Sequence, residues 1–474
     1  MDICDMDAPD LSAALAADKL SAVEVMQATL ARIEAWNGTV NAIVSLRDGE
    51  ALLAEACDAD ASDSKGWLHG IPIAIKDLAN AAGLPTSMGS PLFAGQVAQA
   101  DDIIVARLRA AGALIIGKTN TPEFGLGSHS TNPVFGATRN PYDLSRSAGG
   151  SSGGAAVALA TGMLAVADGS DMMGSLRNPA GWNNVYGMRP SWGLVPSEPA
   201  GDMFLHPLST NGPMARSPRD LAALLDTMAG ADPRQPFGLN QPPSLPQMGQ
   251  AARHLRIGWL ADWGGALSME AGVLDTCAAA LQQLEGLGHS VSALAAPFDR
   301  DALWQSWTDL RSFAVTGKLA PLYADDTRRA HLKDSAQWEV ARGLALSGSD
   351  VQRASTIRSD WFKTATTLFN SHDVLALPSA QMWPFDVTLG WPRTINGTAM
   401  DTYHRWMEVV VPASLIGLPA ISVPVGFGGP DNLPMGLQLI GRHGSDAQLL
   451  QLAEHCREHS ELSGVGNMPI VRFS

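Results

Sequence analysis

Two serines and one lysine hold the reactive chemistry of this chain. Ser151 lies in the glycine-rich run Ala148-Gly149-Gly150-Ser151-Ser152-Gly153-Gly154. Ser175 lies in Gly169-Ser170-Asp171-Met172-Met173-Gly174-Ser175-Leu176-Arg177, and Lys76 ends the apolar run Gly70-Ile71-Pro72-Ile73-Ala74-Ile75-Lys76 before Asp77. A serine hydroxyl is a weak nucleophile and needs a partner to take its proton. A lysine can be that partner only as the neutral amine, and burial beside Ile73 and Ile75 would lower its pKa in that direction. One serine would attack, the other would pass the proton, and the amine would receive it. Such a set would hydrolyse an acyl bond without histidine, metal or cofactor.

Other chemistries compete for the same residues. Gly149-Gly150-Ser151-Ser152-Gly153 fits the G-x-S-x-G turn, in which Ser151 would be the nucleophile of an α/β-hydrolase. That turn follows a hydrophobic strand, whereas Asp143-Leu144-Ser145-Arg146-Ser147 is polar and turn-like. A phosphate cradle at a helix start would need Lys-Ser/Thr at its end. Ala155-Ala156 stands there instead. A flexible linker is out of place before so apolar a helix.

The elements that would position these residues alternate between helix and strand. Residues 10–60 read as helices, with Ser21 and Glu24 as a capping box and a second helix over Asp48–Ala59. Strands are expected at Ile71–Ile75, Ala113–Gly117 and Leu164–Ala167, with helices at Asp101–Ala111 and Ala155–Gly162. Residues 118–154 form a long loop of the kind that carries function. Beyond a linker-like stretch at 231–250, taken as a surface connection, the pattern resumes. It gives strand Arg256–Leu260, helix Gly272–Leu287, strand Ser290–Leu294, helices over 301–370, and strands at Val374–Leu377 and Ala420–Pro424. Short apolar strands between helices indicate an α/β sheet covered on both faces.

Bulk properties exclude some partners. A net charge of -15 without a basic cluster argues against nucleic acid and anionic membranes. Cys4, Cys57, Cys277 and Cys456 are scattered and read as reduced thiols, and the acidic start Met1-Asp2-Ile3-Cys4-Asp5 is unlike a secretory signal. The apolar run Ala155–Ala167 is too short to span a bilayer. A cytoplasmic protein is the default expectation. His69, His129, His206, His372 and His404 lack ligand spacing and read as surface or core residues. Trp304, Trp307, Trp338, Trp361, Trp383, Trp391 and Trp406 read individually as core, with some expected to line an apolar acyl or aryl site.

Taken together, the motifs resemble the amidase signature family. The matching pieces are Gly70–Asp77, Gly117–Phe124, Gly136–Pro141, Gly149–Ala180, Val411–Pro424 and Pro434–Gly441. The resemblance implies one domain over 1–474, an α/β/α sandwich around a large mixed β-sheet. Its signature core would lie at about 66–196 and its variable substrate-pocket region at about 231–410. It implies Ser175 as nucleophile, Ser151 on a cis peptide bond as proton shuttle, and Lys76 as base. Backbone N–H groups of Met172, Met173, Gly174 and Ser175 would form the oxyanion hole. The family usually has two glycines before the nucleophile, and here the first is Met173; a positive φ there would be costly, and its bulk would wall the pocket. Asp171 and Arg177 read as an ion-paired support. Ser152 and Asn120 read equally as hydrogen-bonding partners of the triad or as ordinary loop caps.

The expected partner is a small-molecule amide, with carbamate or ester also accessible, and with a homodimer admitted. Two other readings remain: the glutamine-hydrolysing A subunit of a tRNA-dependent amidotransferase, and an inactive binding protein.

Overall fold

The computed structural model describes residues 2–63, 66–249 and 254–459. The sheet that carries the site forms because its central strands are buried on both faces. Ala420–Gly428 and Leu433–Ile440 pair antiparallel in the middle, and the second is buried along its whole length. The order across this eight-stranded sheet is Ser290–Ala293, Arg256–Trp259, Val374–Pro378, Leu433–Ile440, Ala420–Gly428, Tyr186–Arg189, Thr210–Ala215, Val166–Asp171. The first three strands run parallel and the remaining neighbours antiparallel, so the sheet is mixed.

A three-stranded sheet stands beside its last strand. Leu114–Thr119 is its centre, parallel to Pro72–Lys76 and antiparallel to Ile43–Val44. The Lys76 N–H donates to Asp168 Oδ1 of the Val166–Asp171 strand at 2.9 Å, which ties the two sheets together where Lys76 emerges. Strand Val166–Asp171 runs four residues beyond the expected Ala167, because Asp168, Gly169, Ser170 and Asp171 pair with Thr210–Pro213.

The N-terminal helix Ala22–Val40 has the Ser21/Glu24 capping box, and Asp48 caps the helix Gly49–Asp60. The expected helices near 101–111, 155–162 and 272–287 form as Ile103–Ala110, Gly153–Ala160 and Val273–Gly286. Four helices fill 300–371, of which Arg300–Tyr323 and Gly348–Ser371 are the longest. The described part of the 231–250 stretch is largely exposed; Gln250 lies outside the described residues.

Asp143–Ser147 is a strand, not the turn expected from its polarity. It pairs with Arg139–Asn140, and a distant segment completes it: the Ser147 N–H donates to the Phe385 carbonyl and the Val387 N–H to the Ser145 carbonyl, both at 2.8 Å. Pairing from a segment more than two hundred residues away overrides local propensity.

Trp182 joins the signature core to the later chain. Its indole is fully buried, donates to the Met382 carbonyl at 3.1 Å and stacks on Trp406 at 5.6 Å. Trp182→Ala is expected to lower the unfolding free energy by about 3–5 kcal/mol, read as a fall in the urea midpoint at unchanged slope.

Candidate active site

Lys76 ends its strand with the side chain buried and the amine among oxygens. Nζ lies 2.8 Å from Ser151 Oγ, 2.8 Å from Ser152 Oγ, 3.1 Å from Ser170 Oγ and 3.3 Å from the Ser170 carbonyl. Burial lowers its pKa to about 7, against the opposing pull of Asp168 and Asp171. A neutral amine has two N–H donors and one lone pair. Ser152 Oγ lies 3.5 Å from the Ser170 carbonyl and can send its own proton there. The two N–H groups then fall to Ser152 and Ser170, and the lone pair faces Ser151.

Sequence reasoning missed Ser170 and Asp168. Both sit on the strand that leads to Ser175, and the expected strand stopped at Ala167. Asp168 takes the Lys76 N–H. Burial raises its pKa to about 6, opposed by that hydrogen bond and by Lys76 and Lys118.

The peptide bond Gly150–Ser151 is cis, and the Ser152 N–H donates to the Ser175 carbonyl at 3.2 Å. That contact brings the two glycine-rich segments together. Among the described residues Ser175 Oγ has no hydrogen-bond partner.

The turn before Ser175 differs from expectation in two respects. The positive φ falls on Gly174 (76°) and not on Met173, and a Cβ at 174 would press on Val410 Cγ1 and Cγ2 at 2.9 Å. Met173 packs into the main core, and Met172 is its half-buried neighbour. The Gly174 N–H is also taken by Asp171 Oδ1 at 2.8 Å. Among the described residues the N–H groups of Met172, Met173 and Ser175 have no such acceptor.

Asp171 organises this turn. It accepts from the Gly174 and Leu176 N–H groups and from Arg177 at 3.0 and 3.1 Å, and pairs with Arg189 at 3.3 Å. Its own burial would raise its pKa, but Arg177 and Arg189 hold it well below the usual carboxylate range. Arg177 continues to the Val410 carbonyl, Gln438 and Ser414. Arg189 is a missed member; a basic residue ending the buried strand Tyr186–Arg189 was the available signal.

Asn120 bonds Gly136, Thr138, Thr121 and Asn132, not the triad. It touches the site only through its carbonyl, which accepts the Gly154 N–H at 3.2 Å. Ser152, in contrast, contacts Lys76 directly. Of the histidines, His129, His289 and His404 are buried, and among the described residues none hydrogen-bonds Lys76, Ser151 or Ser175. Trp304, Trp307, Trp361, Trp383 and Trp406 are core residues, whereas Trp338 is exposed beside Tyr403.

An amine ready to lose its proton, a hydroxyl in contact with it, a second hydroxyl on an adjoining turn and free N–H groups beside that turn are the parts of a serine acyl-transfer site. Comparison with known proteins agrees. The family described as Amidase matches residues 24–450. The chain belongs to the amidase family. An acylamidase of Rhodococcus erythropolis is 34% identical over 469 residues, covering 94% of each chain. The A subunit of the glutamyl-tRNA(Gln) amidotransferase of Anaeromyxobacter dehalogenans is 32% identical, covering 95% of this chain and 96% of its own. Among solved structures, a bacterial aryl acylamidase of the amidase signature enzymes superposes with TM-score 0.89 at 26% identity, covering 96% of both chains. This amidase-family chain is a hydrolase of amide C–N bonds with the signature α/β fold. Among its described residues no helix is long and apolar enough to cross a membrane.

Two measurements probe the site. The neutral amine fraction grows as pH rises through about 7. The rate at which a fluorophosphonate labels Ser175 is therefore expected to rise with pH and level off about one unit above that value; a flat profile would contradict it. Asp171→Asn leaves two buried arginines unpaired, so urea denaturation is expected to show a loss of about 3–5 kcal/mol.

Proposed function

We propose that the enzyme cleaves a small, uncharged amide through an acyl-enzyme on Ser175. The contact of Lys76 Nζ with Ser151 Oγ at 2.8 Å, in a site dry enough to bring the amine to about pH 7, carries the reading. Neutral Lys76 takes the Ser151 proton while Ser151 takes that of Ser175. Ser175 Oγ bonds to the carbonyl carbon, and the N–H groups of Met172, Met173 and Ser175 receive the oxyanion. Each such donor is worth about 10²–10³ in rate. The proton returns through Ser151 to the leaving nitrogen, the C–N bond breaks, and the amine departs. Water then enters by the same route and frees the acid.

The region beyond Ser175 supports an uncharged acyl group. Arg311 lies beside Met172, with Nη1 3.3 Å from its Sδ. Its other nitrogens are engaged: Nε meets Glu339 Oε1 at 2.7 Å, Nη2 donates to the Tyr403 hydroxyl at 2.8 Å, and that hydroxyl donates to Glu339. The ion pair with Glu339 offsets the Arg311 charge that the carboxylate of free glutamine would need, which weighs against the amidotransferase reading despite full-length similarity to amidotransferase chains. Carbamates and esters undergo the same acyl transfer and belong in the substrate class. We place the enzyme in the cytoplasm, a reading supported by four free cysteines.

Ser175→Ala is expected to abolish turnover and Lys76→Ala to lower kcat by at least about 10³-fold. The assay is a panel of aryl amides, aliphatic amides, carbamates, esters and glutamine with the purified chain. Aryl or alkyl amides are expected to be turned over and glutamine not. Wild-type rates in Ser175→Ala would refute the mechanism, and glutamine as the preferred substrate would refute the substrate class.

A further inference from the structure

A serine–histidine pair outside the triad adjoins the Ser151 loop. Ser147 Oγ is 2.8 Å from His129 Nδ1, and His129 Nε2 is 3.0 Å from the Val387 carbonyl. A carbonyl only accepts, so Nε2 carries the ring proton and Nδ1 accepts. Ser147 therefore donates its hydroxyl proton to the ring. Its oxygen in turn accepts the Gly149 N–H at 3.1 Å. Burial keeps the imidazole neutral, with its pKa pushed down to about 4. The pair has the outward form of an activated nucleophile, but Ser147 has no exposed surface from which to meet a substrate.

The residues flanking His129 grip the same loop. Ser128 Oγ donates to the Gly150 carbonyl, the Ser130 N–H donates to the Gly149 carbonyl at 3.0 Å, and Ser130 Oγ accepts the Gly153 N–H at 3.0 Å. Gly149 and Gly150, just before the helix Gly153–Ala160, give this loop backbone freedom. Contacts from outside the loop therefore help to keep Ser151 Oγ on Lys76; Asn178 and Asn183 also reach it, at the Gly150 N–H and the Ala148 carbonyl. At its other end the pair leans on the segment after strand Val374–Pro378: Phe385 accepts the Ser147 N–H and sets its ring edge-on to His129 at 5.3 Å.

We propose that His129 and Ser147 are positioning residues, a hydrogen-bonded chain from the Val387 carbonyl to the Gly149 N–H that holds Ser151 against Lys76 and ties the Ser151 loop to the variable region. The inference rests on the triad roles given under Proposed function. It acts through placement alone, so the pH inflection set by Lys76 stays where it is in every variant.

The test compares three single variants and one double. His129→Leu removes both ring hydrogen bonds, Ser147→Ala removes the hydroxyl, and His129→Asn keeps an acceptor close to the Nδ1 position. Two readouts are taken: the rate of fluorophosphonate labelling at Ser175 across pH, and amide hydrogen exchange over residues 148–153 by mass spectrometry. His129→Leu and Ser147→Ala are each expected to slow labelling by about 10- to 100-fold, the scale of a small misplacement of a reacting group. The double variant is expected to be no slower than the worse single one, since both break one chain. His129→Asn, which keeps the acceptor for Ser147 but loses the bond to Val387, is expected to label at a rate between those of the wild type and His129→Leu, and exchange over 148–153 to quicken most in His129→Leu and Ser147→Ala. Wild-type labelling in His129→Leu, additive losses in the double variant, or unchanged exchange would overturn the proposal. If the wild-type chain fails to label at all, the triad reading falls, while the exchange pattern still decides whether the chain of hydrogen bonds holds the loop.

Discussion

Lys76 is buried with its amine against four oxygens and no carboxylate among them. A carboxylate in contact would stabilise the ammonium form and raise the pKa. The two nearby acids are engaged elsewhere: Asp168 accepts the backbone N–H of Lys76 itself, and Asp171 is held by Arg177 and Arg189. Their charges still act on Lys76 at a distance, so burial has to outweigh them. This arrangement has a thermodynamic consequence. The folded chain binds the Lys76 proton less tightly than the unfolded chain, so this group favours folding more as pH rises from about 7 towards 10.5. At neutral pH it opposes folding, and the rest of the core must offset it.

The surrounding structure serves that one placement. Lys76 arrives on the small sheet, Ser170 and Asp171 on the edge strand of the large sheet, and Ser151 on a loop before the helix Gly153–Ala160. The Lys76 N–H, donating to the Asp168 carboxylate, ties the two sheets together. The Asp171–Arg177–Arg189 cluster then sets the turn before Ser175, and in doing so takes one of the four N–H groups expected to face the substrate. Beside that turn Met172 meets Arg311, which is ion-paired with Glu339 and donates to the Tyr403 hydroxyl.

Much of this was legible in the sequence because the informative pieces are local. The capping box at Ser21, the apolar run into Lys76 and the glycine-rich serine segments state their own conformation. Asp143–Ser147 was misread because its pairing partner, Phe385–Val387, is distant in sequence and its polar side chains gave no alternation to follow. Ser170 and Asp168 were missed for a related reason: the strand extends through polar residues that pair with Thr210–Pro213. Where the family has glycine, Met173 buries its side chain in the core, the positive φ falls on Gly174, and Met172 lies beside Arg311.

Proton transfer from the serines depends on the proton affinity of one amine, which can be read without any substrate. Carbon-13 labelling of the lysine side chains, with Lys76→Met to assign the resonance, allows the Lys76 Cε shift to be followed through a pH titration. An inflection near pH 7 is the result that burial predicts. An inflection near the ordinary lysine value of 10.5 would mean that the amine is charged at working pH and cannot accept the serine proton.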